Sequence, residues 1–359
     1  MPSLPDPRPA SDFPAEPLHD RLRSAWDARA EGRSSHAWTG LVRGVRRSLE
    51  RGDEDAVVSL LKGTVPGAAL LAARAVDDAV NGIGTEEDLA LATRVFLMPV
   101  LVVTAGACPA TVPGAVGETG DIVQAMRAAG ALGPVESFAL SGALGTCEEA
   151  AGKSPAALHR FVRAGAAEGG VELLQPAPVE IDSADERVHI RYLAGMSVTA
   201  GHAPTFLETA GGVGRWGMTM ARLLARQLTP AGVSLLAIPR APMSWYCAVA
   251  EGTFAREEAA FNLFATNAIR QIRSSTGDPV ATVSSCSDGT IRVDLRSPFD
   301  EMDARSHVWT LHAHHDLDRV ERSIVDLLKE CRLDDVRLSQ EIAAPLPARP
   351  ASLPGRLLS

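Results

Sequence analysis

The residues with most chemical potential lie close together near the C-terminal end, in Trp309-Thr310-Leu311-His312-Ala313-His314-His315-Asp316-Leu317-Asp318. Imidazoles two positions apart on a strand project to the same side, because strand side chains alternate. With a carboxylate two residues further on, His312, His314 and Asp316 form a candidate site for a divalent metal. A cation held there would acidify bound water, the chemistry of a hydrolase or lyase. The competing reading is a polar strand end followed by Asp316 or Asp318 as the cap of the next helix.

Two glycine-bearing strings come next. Gly212, Gly214 and Gly217 satisfy the spacing G-x-G-x-x-G ahead of a helix, and with Gly201 and His202 they make a candidate ligand-binding loop. The acidic residue that a dinucleotide's ribose requires about 20 residues on is missing, since that stretch reads Thr229-Pro-Ala-Gly-Val-Ser. The string Cys147-Glu-Glu-Ala-Ala-Gly152-Lys153-Ser154 ends like a phosphate-cradling loop. Cys147 stands where that loop needs glycine, however, and Glu148 and Glu149 would repel phosphate. Ser154-Pro155 reads equally as an N-cap and first helical residue. Ser141-Gly142 and Ser284-Ser285-Cys286 lack a nucleophile-elbow pattern, and no Ser-His-Asp constellation is visible.

Composition bounds what these groups can serve. The chain has 359 residues, 46% hydrophobic, 22% charged and 4% aromatic, with a formal net charge of -9. That is enough apolar material for more than one core. The acidic balance argues against general nucleic-acid binding, which neutralises phosphates with cations. Of the 35 basic residues, only Lys62, Lys153 and Lys329 are lysines, a bias typical of a GC-rich genome. The five cysteines are odd in number, far apart and never in a C-x-x-C pair, which suits a reducing cytoplasm. The N-terminal residues lack the apolar core of a signal peptide. The longest apolar run, Val95 to Ala107, contains Pro99 and falls short of the roughly 20 residues that span a bilayer.

The elements that must position the candidates follow from periodicity. Residues 1–17 and 341–359 are proline-rich and read as flexible tails. Helical spacing fills 18–94, with Leu22 and Trp26 on one stripe and Trp38, Leu41, Val42, Val45 and Leu49 on another; Thr85 and Asp88 suggest a capping box. From 95 to 176 strands alternate with helices: strands at 95–104, 135–140 and 171–174, helices at 121–129 and 155–167. From 187 to 340 the order recurs, with a helix at 215–228, a strand at 233–238 and a helix at 254–274. The Trp245-Tyr246 pair between them reads as a β-type run. A hairpin across Ser287-Asp288-Gly289, a strand at 307–314, a helix at 317–331 and an edge strand at 336–338 complete the chain. Val103-Thr-Ala-Gly-Ala-Cys-Pro109 and Val198-Thr-Ala-Gly-His-Ala-Pro204 mark matching corners. The expected fold is thus mixed α+β: a helical N-terminal region, then two β-α-β-α halves related by duplication, with mixed sheets.

Two resemblances bear on function. The string at His312 is similar to the metal signature of the metallo-β-lactamase superfamily, but Leu317 stands where that signature ends in histidine and no histidine follows His315. The succession Arg191-Tyr192-Leu193, Ala203-Pro204, Phe206, Leu223-Leu224-Ala225-Arg226 and Trp245-Tyr246-Cys247-Ala248, with Leu327-Leu328-Lys329-Glu330-Cys331 near the end, resembles a proteobacterial family known only as a domain of unknown function. That likeness implies a cytosolic bacterial protein and carries over no catalytic residue. Because three partial motifs each fail at a residue their chemistry needs, the expectation is a non-catalytic regulatory or scaffold protein. It would bind a protein partner or small ligand, self-associate into a homo-oligomer, and use no cofactor. The alternative is a metal-dependent hydrolase or lyase built on His312, His314 and Asp316.

Overall fold

In the computed structural model, residues 17–30, 34–63, 68–83, 91–106, 110–165, 173–181, 187–201, 203–206, 212–229, 233–286, 289–299, 304–312 and 314–339 are described. Both proline-rich tails, the Thr85–Asp88 box and His202 lie outside them. The fold is mixed α+β.

Four helices open the chain: α1 (Leu18–Ala30), α2 (Ser34–Arg51), α3 (Glu54–Lys62) and α4 (Ala68–Val80). Asp53 caps α3 by accepting the Ala56 N–H, as its acidic first turn suggests. The strand β1 (Ala92–Gly106) follows, then β2 (Ala110–Val112), α5 (Thr119–Ala128), β3 (Val135–Gly145), α6 (Cys147–Ala151) and α7 (Pro155–Ala164). The chain continues through β4 (Val179–Ile181), β5 (Val188–Thr199), α8 (Gly212–Leu228), β6 (Val233–Pro239) and α9 (Trp245–Ser275). A C-terminal unit contains β7 (Val280–Ser285), β8 (Thr290–Arg296), β9 (Ala304–Thr310), α10 (Leu317–Glu330) and β10 (Val336–Ser339).

The first sheet has the order β3-β5-β1-β6, with antiparallel neighbours throughout. Each β-α-β unit therefore leaves room for one strand of the other, which is the interleaved split β-α-β layout of ferredoxin-like folds. Val198 lies 95 residues after Val103, and the same offset carries Met98 onto its own register partner, Leu193. The corresponding strands thus meet at the middle of the sheet. The 95–176 and 187–340 segments are not separate bodies, since each contributes two strands to this sheet.

Alternation explains the continuous apolar run in β1. Val95, Leu97 and Leu101 face a layer made by α1 to α4, α6, α7 and the start of α9, while Phe96, Met98, Val100 and Val102 face α5 and α8. Both faces are covered, so both alternating sets are apolar. The helical region 18–94 accordingly shares one core with the sheet. A second sheet, β10-β7-β8-β9, packs under α10 and the far half of α9 around Phe261, Ile272, Trp309 and Ile324. Helix α9 has 31 residues, about 46 Å at 1.5 Å per residue, and joins the two cores.

Several local expectations are corrected. Trp245 and Tyr246 open α9 and do not continue a strand: the Trp245 Nε1–H donates to the Ala150 carbonyl at 2.8 Å, and an acceptor on α4 ties down the first amides. Aromatic β-propensity yields here to a cap supplied from elsewhere in the fold. Leu173 and Leu174 are buried but not in a strand, whereas the short strands β2 and β4 and the helix α6 had no clear signal. Among the described residues no helix is long and apolar enough to cross a membrane.

Candidate functional site

β9 ends at Thr310, so His312, His314 and His315 sit on the turn leading to α10 and not on a strand end. The three rings pack on each other. His312 and His314 are parallel, with centroids 5.6 Å apart, and His315 stands edge-on to both at 4.9 and 4.8 Å. His314 Nε2 lies 2.6 Å from the Thr253 hydroxyl of α9. That hydroxyl has its own acceptor in the Ala250 carbonyl at 2.9 Å, so it takes the imidazole as donor and assigns the proton to Nε2. His315 Nδ1 accepts the backbone N–H of His312 at 3.3 Å. Burial holds all three imidazoles neutral: it lowers His312, pushes His314 down to about 4 and His315 down to about 3, with the neighbouring imidazoles adding to both.

Asp316 does not join them. Its side chain accepts the Asp318 N–H at 3.0 Å and caps α10, the structural alternative the sequence offered. Asp294 is occupied by Arg292 and Ser306 on the second sheet. Among the described residues no group of three His, Cys, Asp or Glu side chains is arranged to hold a metal ion.

The histidine turn instead forms part of the wall of a groove. One cavity, of about 360 Å³, is bounded by Trp26, Leu70, Phe254 and the His314–Asp316 turn, with Arg29 and a Glu251–Arg319 pair at its rim. Arg319 holds Glu251 through two bonds of 2.6 Å and lies 4.0 Å above the Phe254 ring, so aromatic and carboxylate together fix the guanidinium. A second cavity, of about 400 Å³, lies between α3, α4, the α6–α7 corner and α9. Val58, Leu61, Ala69, Ala73 and Val249 line it, with Glu54, Lys62 and Lys153 among its charged groups. Ala250 and His314 belong to both, so the cavities meet there.

The string at 147–154 contributes to this groove but not as a phosphate loop. Thr146 caps α6, Ser154 caps α7 by accepting the Ala157 N–H, and Pro155 takes the first helical position. Lys153 Nζ donates to the Leu173 carbonyl at 2.6 Å, and Tyr246 donates to the Lys153 carbonyl at 2.6 Å.

Gly201, Gly212 and Gly214 are not brought to the groove. The Gly201 and Ala203 carbonyls accept the two ends of the Arg94 guanidinium, which fixes that corner against β1. Gly212 and Gly214 are already inside α8 and do not form a turn ahead of it. The parallel strands β5 and β6 are also separated by β1, unlike the adjacent strands of a dinucleotide site.

Trp26, Lys62, Tyr246, Glu251, Phe254 and Arg319 were invisible as site residues in the sequence, because no local motif links positions so far apart. Comparison with protein-family models, curated proteins and solved structures finds no match to this chain.

Proposed function

We propose that this is a non-catalytic binding protein that seats a small, largely apolar ligand in the groove between the N-terminal helices and α9. The observation that carries the reading is the meeting of two cavities at Ala250 and His314, each within the size range of small-molecule sites. The groove's strongest polar groups are already engaged with one another: Arg319 with Glu251, His314 with Thr253, Asp316 with its helix. Such groups shape and orient; they are poorly placed to act as a nucleophile or metal ligand. A cytoplasmic setting accords with this reading, since Cys147, Cys247, Cys286 and Cys331 are free thiols.

The test uses 1-anilinonaphthalene-8-sulfonate as an apolar probe of the intact chain. Saturable binding at one site, lost in Val58→Trp and in Leu70→Trp with unchanged far-UV circular dichroism, is the expected result. Unsaturable fluorescence, or binding indifferent to both substitutions, would overturn the reading.

A further inference from the structure

We propose that the chain pairs with a second copy of itself through the free edge of β9, joining two four-stranded sheets into one of eight strands. β9 closes its sheet and pairs only with β8, in unbroken antiparallel register over its seven residues. The Leu311 N–H reaches the Gly289 carbonyl at 3.1 Å, which sets the hydrogen-bonding parity of the pair. Arg305, His307 and Trp309 therefore turn their backbone groups toward β8, and Ser306 and Val308 turn theirs away from it. Ser306 and Val308 are exposed, and these outward N–H and C=O groups have no partner among the described residues. The other outer strands of the two larger sheets are protected. β3 has two register shifts, and its outer side is bonded at the Gly142 carbonyl by Val116 and at the Leu144 N–H by Gly114. β6 ends in Pro239 and buries Ala237 completely, and β10 has only four residues. β9 has no proline, lysine or bulge, the usual devices by which an edge refuses a partner.

The occupant is a second copy because this edge is complementary to itself. Two identical strands related by a two-fold axis run antiparallel and present the same patch to each other. When all seven residues pair, Ser306 of one copy lies opposite Val308 of the other, and Ala304 opposite Thr310. The outward backbone groups then bond to one another. His307 falls on the axis, and the two Val308 side chains take neighbouring diagonal positions on the outer face. Val308 is 52% exposed in the single chain, so this contact covers apolar surface. On the inner face His307 packs against the half-buried Phe264, with ring centroids 5.1 Å apart, which brings a second apolar rim to the axis. Charge does not oppose the register. Arg305 lies opposite Trp309 of the other copy, and burial pushes His307 down to about 4, so the two imidazoles meet uncharged at neutral pH.

Sedimentation equilibrium of the full chain across the micromolar range, with hydrogen exchange at the two ends of that range, tests this. A monomer–dimer equilibrium is expected, and exchange in the peptide covering 304–310 should slow as the dimer fills. Val308→Pro spares the β8 ladder, because that N–H faces outward, but removes one inter-copy bond from each strand. Val308→Lys keeps every N–H and places two cations side by side at the axis. Both should weaken the dimer by at least about tenfold with unchanged far-UV circular dichroism. A chain that stays monomeric throughout overturns the proposal and leaves the edge to a foreign strand. A dimer indifferent to both substitutions overturns it by placing the interface elsewhere. Protection of 304–310 that does not change with concentration overturns it as well, since the edge would then be covered within one chain.

Discussion

The carboxylate of Asp77, on α4, accepts the backbone N–H of Tyr246 at 2.9 Å and so caps a helix to which it does not belong. Its other oxygen takes the Cys247 N–H at 2.9 Å. Ser244, the residue at the N-cap of α9, makes no such bond. Asp77 is 1% exposed, and burial pushes it up to about 7 against the pull of those two amides. Its folded pKa thus exceeds its unfolded value. The stability it contributes is complete below about pH 4 and is lost as pH rises through about 7. Asp77→Ala should cost about 1–3 kcal/mol by leaving two buried amides unpaired. In urea denaturation, Asp77→Asn should make stability fall less, or rise more, between pH 4 and 7 than in the parent protein; an unchanged pH dependence would dismiss Asp77 as a contributor.

The histidine turn has the opposite sign. Its imidazoles have folded pKa values below the ordinary one, so the unfolded chain binds protons first and stability declines as pH falls from about 6.5 through about 4. His312, His314 and Arg319 are the cations or potential cations facing His315. His315→Phe keeps a ring against Phe254 and removes the titrating imidazole. Thermal melts at pH 5 and pH 7 should differ less in this variant than in the parent protein.

Gly252 has a strict steric role inside α9. A Cβ there would come within 2.4 Å of the Tyr192 hydroxyl, which donates to the Val249 carbonyl at 3.2 Å. Gly252→Ala should destabilise by about 1–3 kcal/mol, although alanine is the better helix former. Combined with Tyr192→Phe the two costs should sum to less than their separate values, and strict additivity in the double-mutant cycle would count against the contact.

Arg319→Lys should cost roughly 1 kcal/mol even though the charge is kept. A lysine cannot make both 2.6 Å bonds to Glu251 and lie flat on Phe254 at once. An equal loss from Arg319→Met and Arg319→Lys would show that the fork, and not the charge, is what matters; no loss in either would remove the pair from the account.

Metal removal separates the binding reading from the hydrolase alternative. Dialysis against EDTA should leave Tm unchanged, and elemental analysis should find no stoichiometric metal. One equivalent of zinc in the parent protein, absent from His312→Ala, would reinstate the metal site.

The sequence alone was informative wherever structure is local. The continuous apolar run Val95–Thr104 as a buried strand, the Ser154-Pro155 cap, the Asp316 cap and the amphipathic face of Leu317–Cys331 were legible because neighbours a few residues apart decide them. The acidic charge, the lysine scarcity and the unpaired cysteine spacing were equally open to reading. What only the tertiary structure decided is which distant surfaces meet. Asp77 and Tyr246 are 169 residues apart, Glu251 and Arg319 are 68 apart, and no periodicity couples such positions. The histidine string shows the difference most clearly. Its spacing matched a metal site, but β9 ends at Thr310, and of the three candidate ligands His312 and His314 pack ring on ring while Asp316 caps α10. Side-chain spacing sets what a segment can do; the backbone path and the partners that satisfy each polar group decide what it does.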